Sequence, residues 1–385
     1  MNPLQTIAQR YAQYFQSTAT FIKAPGRFNL IGEHTDYNEG FVLPAAIDRH
    51  IYFALGKSKD TDQVAIFSPA FDAQISFSLN DDDLQSLPNW GRYFKAATQE
   101  MQSRDYDIIG VSGAVQGDIP LGAGLSSSAA LCCGFIKGIA HLNDIELSKA
   151  EIASIAQKTE HRVGLNCGLM DQYAVLFGQK EQAVFLDCQS LEVKHVPLDL
   201  GDYRLLIFNS NIRHELAADS GYNERRAACE RVVAHIAKDH ASVQSLRDVG
   251  QSLLEQYASD LDATDLKRAQ YVLDENERVV QAKAALAKGD LAQVGQLLNA
   301  SHIGMRDEYE ITVPEIDLLV DLAQAQQGVL GSRMTGGGFG GCTIALVHQE
   351  EREQVEKTVL EQYEAQTGQA ATCYQFGIED GVRIV

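Results

Sequence analysis

Hydrophobic positions change their period along the chain. At the start, Leu4, Ile7, Ala8, Tyr11 and Tyr14 share one face of a 3.6-residue period, which predicts an amphipathic helix within Met1 to Thr18. Short apolar runs follow at Thr20 to Ala24, Phe41 to Ile47, Ile51 to Leu55 and Val64 to Phe67, separated by polar turns, and these predict strands. Asp60 to Asp62 and Asn80 to Asp83 are acidic turns flanking the last of them. After these strands helical periodicity returns only near Trp90. Ile109, Val111, Gly113 and Val115 then alternate as a half-buried strand, and Ala129 to Leu142 reads as a nearly all-apolar helix. Ser148 to Glu151 is a capping box for a helix that buries Ile152, Ile155 and Thr159. Pro197, Asp199, Gly201 and Asp202 interrupt the pattern before a strand at Tyr203 to Asn209, and a domain boundary is expected there, dividing residues 1–200 from 201–385. The second half carries long helices at Ser220 to Lys238 and at Ala263 to Lys288, the latter stopped by Gly289, and closes with strands at Cys342 to His348 and Thr372 to Gly377. The order is α+β, not a regular βαβ alternation.

Composition narrows the class. A chain of 385 residues suits two domains of roughly equal size. It is 45% hydrophobic and 22% charged, and no apolar stretch approaches the ~18 residues of a membrane span. Met1 to Thr18 lacks the basic flank and apolar run of a secretory signal. The seven cysteines, at 132, 133, 167, 188, 229, 342 and 373, form no C-x-x-C pair, which argues for reduced thiols in a cytoplasm and against a zinc site. A net charge of −20 without a basic stripe disfavours nucleic acid and anionic membranes. A phosphate-bearing ligand must then be captured locally, by backbone donors and a metal.

Three segments carry candidate chemistry. Gly26 to Tyr37, G-R-F-N-L-I-G-E-H-T-D-Y, sets an arginine, two carboxylates and a histidine close together. Carboxylates accept several hydroxyl hydrogen bonds and a guanidinium supplies a fixed fork of donors, so the cluster suits a polyol; a charged surface loop is the plainer alternative. Gly117 to Ala130, G-D-I-P-L-G-A-G-L-S-S-S-A-A, joins the predicted strand to the apolar helix. Gly122 and Gly124 allow close backbone approach, and Ser126, Ser127 and Ser128 cap a helix whose amides face the loop, an anion cradle without the lysine of a Walker loop. Thr335 to Gly341, T-G-G-G-F-G-G, contains G-x-G-x-x-G but is followed by a strand, so it is no dinucleotide fingerprint. Glu160 lies at the margin of its helix's buried face and is either available to magnesium or solvated beside His161 and Arg162. Asp171, in N-C-G-L-M-D-Q-Y, also fits a simple helix cap, and Trp90 a core residue.

Together the three segments resemble, in order and spacing over nearly the whole chain, the motifs of the galactokinase, homoserine kinase, mevalonate kinase and phosphomevalonate kinase superfamily, and G-E-H-T-D-Y closely resembles the galactokinase signature. The resemblance implies two lobes, a mixed-sheet N-terminal one and a ferredoxin-like C-terminal one, with the active site between them. It implies phosphoryl transfer from ATP to the anomeric hydroxyl of α-D-galactose. By matching motif, Arg27 and Asp171 are the catalytic pair, and Glu33, His34, Asp36, Gly168 and Tyr222 hold the sugar. Gly122, Ala123, Gly124, Leu125, Ser126, Ser127 and Ser128 cradle the ATP phosphates, with Ser128 and Glu160 on Mg2+. Trp90 lines the adenine pocket, and Gly336, Gly337, Gly338, Gly340 and Gly341 close over the ligands. Asp171 then acts either as a base on the hydroxyl or as a positioning group, since an adjacent Arg27 makes it a weak base. Kinases for N-acetylgalactosamine, galacturonate or arabinose, and a sugar sensor without turnover, are the alternatives. Oligomeric state is not readable, and a monomer is compatible with the chain.

Overall fold

A computed structural model describes residues 3–15, 17–120, 122–212 and 215–385, the stretch 215–220 by its backbone alone. Met1, Asn2 and Gln16 of the first predicted helix, and Leu121 of the glycine-serine loop, lie outside the described residues. The helix itself runs Pro3–Tyr14 (α1), and its apolar face, with Ile7 and Tyr11 buried, rests on the sheet that follows.

The first half opens with β1 (Thr20–Asn29), β2 (Phe41–Val42), β3 (Pro44–Lys57), β4 (Gln63–Ser68) and β5 (Ala73–Ser78). The runs expected as two strands at 41–47 and 51–55 are therefore a two-residue strand and one long one. The polar Asp48 and Arg49 between them form no turn: β3 stays paired with β1 on both sides of them, and the register shifts between Pro25 and Arg27. They are the bulge in a continuous ladder, and bulges re-aim neighbouring side chains. β5, whose A-Q-I-S-F-S alternates, is a strand that the sequence reading did not name. Then come α2 (Asn89–Gln102), β6 (Val111–Gly117), α3 (Ser127–Leu142), α4 (Lys149–Arg162), which starts at the expected capping box, and α5 (Met170–Phe177). β7 (Gln182–Asp187) and β8 (Val193–Pro197) close this part.

The second half starts with β9 (Tyr203–Asn209) and continues through α6 (Glu215–Ile236), α7 (Gln251–Tyr257), α8 (Ala263–Ala287), α9 (Leu291–Asp307) and α10 (Pro314–Gln324). It ends with β10 (Val329–Thr335), β11 (Cys342–His348), α11 (Arg352–Thr367), β12 (Thr372–Tyr374) and β13 (Arg383–Ile384). Among the described residues three sheets result, ordered β13-β1-β3-β6-β4-β5, β10-β11-β9-β12 and β2-β7-β8. The first is mixed, with β4 and β6 parallel and its other pairs antiparallel. The second is wholly antiparallel, and its order, the fourth strand beside the first, then the third, then the second, is the ferredoxin-like arrangement. The break near residue 200 falls between β8 and β9, which belong to different sheets, while the last residues return to pair with β1.

α3 decides where the chemistry sits. Ten of its sixteen residues are buried, because β1 and β3 cover one side and α2, α4 and α5 the other, which is why its sequence is apolar all round. Its N-terminus, after the glycine-serine loop, thus points out of the first lobe toward the end of β10.

Candidate active site

Arg27 follows the irregular step of β1 and is buried. Its backbone N–H donates to the Leu125 carbonyl at 3.1 Å, its Nη1 to the Gly124 carbonyl at 2.6 Å and its Nε to Asp171 Oδ1 at 2.7 Å. Asp171 lies in the first turn of α5 but caps nothing. Its second oxygen, Oδ2, accepts from the Ser126 hydroxyl, and a quarter of its side chain faces the cleft. Ser126 departs from expectation. It occupies the N-cap of α3 with a left-handed backbone (φ 56°), and its hydroxyl makes no cap, being directed to Asp171 instead. The three serines therefore do different things: Ser126 ties the loop to the carboxylate, while Ser127 and Ser128 face the cleft and the apolar pocket beside it.

The cleft has a volume of about 310 Å³. At one end stand Glu33, His34, Asp36, Gly168 and Tyr222. Asp36 needs Gly168: a Cβ there would lie 1.9 Å from Asp36 Oδ2, so only a residue without one admits the carboxylate. Burial first, and then the charge of Asp171, push the Asp36 carboxyl up to about 6. His34 is lowered to about 4, chiefly by burial, and is neutral at physiological pH. Its Nε2 lies 3.2 Å from the Gly337 carbonyl, which only accepts, so Nδ1 accepts from the Tyr37 hydroxyl at 2.6 Å. Tyr37 in turn accepts from Tyr309 at 2.8 Å, and the ring stays in one tautomer. Tyr222 packs its ring 4.9 Å from that of His34. Glu33 is almost wholly enclosed, and both of its oxygens take donors from the protein.

At the other end, Gly122 to Ser128 line the cleft, with backbone amides at the start of α3. Beyond them an apolar pocket of about 260 Å³ shares Ser127 and Ser128 with the cleft and contains Trp90, which is half-buried and stacked on Phe71 at 5.4 Å and 8°. Trp90 is thus a pocket wall more than a core residue. Glu160 is buried, not solvated: Gln172 and Cys167 donate to it, the Ser128 hydroxyl is bonded to it, and burial raises its carboxyl to about 7. Magnesium commonly keeps waters and takes only one or two protein oxygens besides the phosphates, so the Ser128 and Glu160 pair fits it. Among the described residues no group of three or more His, Cys, Asp or Glu forms a protein cage for a metal.

The third glycine segment leaves β10 and crosses the cleft mouth. Gly336, Gly337 and Gly338 line it, whereas Gly340 and Gly341 sit behind, near Ile212 and Ala123. Gly338 combines φ 90° with an Ile311 carbonyl 2.5 Å from where a Cβ would stand, so no side chain fits.

Known proteins resemble this chain along its length. Residues 9–57 match the family model of the galactokinase galactose-binding signature, 92–179 the GHMP kinases N terminal domain and 282–365 the GHMP kinases C terminal domain. The chain is 40% identical to the galactokinase of Actinobacillus pleuropneumoniae, covering 100% of both chains, and 41% identical to that of Chloroflexus aurantiacus, covering 96% of this chain and 94% of the other. It belongs to the galactokinase family. A galactokinase of Lactococcus lactis complexed with galactose superposes with a TM-score of 0.94 at 35% identity, over 99% of this chain and 100% of that one. A mevalonate kinase, at 16% identity and a TM-score of 0.63 over 94% of this chain, shares the fold.

Some residues of this galactokinase-family site escaped the sequence reading. Asn223 lines the cleft beside Tyr222, and Cys167 and Met170 line it beside Gly168. Gln172 donates to Glu160, and the fully buried Arg333 donates to Glu33. The available signal was proximity to motif residues along the chain, two positions from Thr335 for Arg333 and one from Asp171 for Gln172.

Proposed function

We propose that this chain transfers the γ-phosphoryl group of ATP to the anomeric hydroxyl of α-D-galactose, giving galactose 1-phosphate and ADP. One observation carries the reading: an arginine and a carboxylate, Arg27 and Asp171, are joined within 2.7 Å at the mouth of a glycine-serine loop that opens a helix. The likeness to a galactokinase complexed with galactose supports the sugar, and the intact loop and pair speak against a binder without turnover.

In this mechanism Asp36, His34, Tyr222, Gly168 and Glu33 shape the sugar end, and Asp171 faces the anomeric hydroxyl. Its Oδ1 is committed to Arg27 and its Oδ2 to Ser126, so the carboxylate is held in one orientation. A base or a precisely oriented acceptor at that position contributes roughly 10²- to 10⁴-fold. Arg27 adds a fixed positive charge next to the transferring group, where charge spreads over the phosphoryl oxygens. Gly122 to Ser128 supply backbone donors to the phosphates, and Trp90 borders the adenine site. Ser128 and Glu160 would hold Mg2+, which neutralises phosphate charge when bound. The seven free cysteines suit a reducing cytoplasm, and no described helix is long and apolar enough to cross a membrane.

The test is ADP release with Mg-ATP against galactose, N-acetylgalactosamine, arabinose, galacturonate and glucose, with Asp171→Asn as the blank. Turnover confined to galactose is expected. Turnover on another sugar moves the substrate assignment, and tight binding without turnover overturns the kinase.

A further inference from the structure

Arg333 is wholly inaccessible to solvent, yet it lies on β10 just before the third glycine segment. A buried guanidinium costs free energy unless its donors are met by charge. Here Nη2 donates to Glu33 Oε1 at 2.7 Å and to the Asn29 carbonyl at 3.1 Å, and Nη1 donates to Ser301 Oγ at 3.1 Å, with Glu275 Oε1 3.6 Å away. The same Glu33 oxygen accepts the Gly336 N–H at 2.6 Å. Its other oxygen accepts from Asn29 Nδ2. Thr335, between Arg333 and Gly336, donates its hydroxyl to the Asn29 carbonyl at 3.0 Å. One residue further on, His34 meets the Gly337 carbonyl. Two consecutive residues of the first motif thus grip two consecutive residues of the third, from opposite lobes.

We infer that Arg333 is a positioning residue for phosphoryl transfer: by neutralising and orienting the Glu33 carboxylate, it clasps the Gly336 to Gly338 strip onto the cleft. Glu33 acts from within that clasp, since its oxygens are committed to Arg333, Gly336 and Asn29. The strip lies across from the phosphate loop, where a Cβ on Gly336 would be 3.4 Å from the Gly124 carbonyl. Loosening the clasp displaces this wall relative to the phosphates, and displacements of about 1 Å away from the chemistry can cost 10²-fold in rate. The inference rests on the kinase reading for its rate effect and on geometry alone for the clasp.

Two variants test it. Arg333→Lys keeps a charge but loses the fork of donors, and Glu33→Gln keeps an acceptor of the same size but loses the charge. In the ligand-free protein, hydrogen exchange of a peptide spanning 334–341 is expected to quicken about tenfold in both variants, with peptides of β3 at wild-type rates. In turnover each variant is expected to lower kcat on the order of 10²-fold with the galactose KM within about threefold, and the double variant to be no worse than the poorer single one. Unchanged exchange in the strip, or additive losses expressed only in the galactose KM, would overturn the clasp and make Glu33 a direct reader of the sugar. If the wild-type protein fails to turn over galactose, the kinase reading falls, and the exchange result still decides the clasp.

Discussion

At the end of the cleft proposed for the sugar the lining is ionisable and held by side chains: Glu33 is gripped by Arg333, His34 by Tyr37 and the Gly337 carbonyl, and Asp36 fits only because residue 168 is glycine. At the end proposed for the nucleotide the lining from Gly122 to Ser128 carries no charge, and the pocket beyond is closed by Trp90 and Phe71. The contrast fits what each end is proposed to bind. A neutral polyol is recognised by the directions of its hydroxyls, so its site needs fixed polar groups, and such sites discriminate by up to ~10⁴ between a substrate and an analogue that leaves them unpaired. A polyphosphate brings its own charge, which backbone amides and a helix dipole can meet. Rigidity is bought with side-chain partners at one end and with main-chain geometry at the other.

The contrast is broken most severely where the two ends meet. Asp171→Asn is expected to lower kcat by roughly 10²- to 10⁴-fold while galactose still binds, measured by single-turnover assays and calorimetry. Near-normal single-turnover rates would remove Asp171 from the mechanism. Next in size is Gly168→Ala, whose methyl group collides with Asp36. It should raise the galactose KM about 10- to 100-fold and leave the ATP KM unchanged, so equal changes in both would erase the distinction between the ends.

A smaller loss comes from Trp90→Ala, which should raise the ATP KM about tenfold through lost base stacking, with little change for galactose. The smallest effect is one of pH. Asp36 carries a folded-state carboxyl near 6 against an ordinary 3.8. Between those values the folded protein binds more protons than the unfolded chain, so the Asp36 contribution to stability improves as pH falls through the window and is least favourable above 6. Asp36→Asn should therefore raise the melting temperature modestly at pH 7.5, by an amount worth on the order of 1 kcal/mol, with the gain fading toward pH 4. In the wild type, the galactose KM should climb as pH drops through 6 and the carboxylate is neutralised. A melting difference that is constant with pH would show that Asp36 is not strained by its burial.

Much of the architecture was legible in the chain. The capping box at Ser148, the apolar helix after the serine loop and the strand at Cys342–His348 were all readable because each depends on neighbours a few residues apart. The continuous β3 was misread at Asp48 and Arg49, since polar residues in a bulge look like those in a turn until the partner strand is known. In the site, local pattern left Glu160 open between a magnesium ligand and a solvated charge, and placed all three serines as caps of the anion-cradling helix. Gln172 and Cys167 enclose the first, and Asp171, 45 residues away, redirects Ser126.

By itself the sequence determined the two-lobed α+β design, the three motifs and the residue types available for chemistry, because these are written in local pattern and composition. Only the tertiary structure decided which of those residues face the cleft and which hold it in shape. Arg333 and Glu33 lie 300 positions apart, and nothing in either neighbourhood says that they meet. A buried charge is tolerated only where folding brings it an opposite one, so its role exists only once the lobes have packed together.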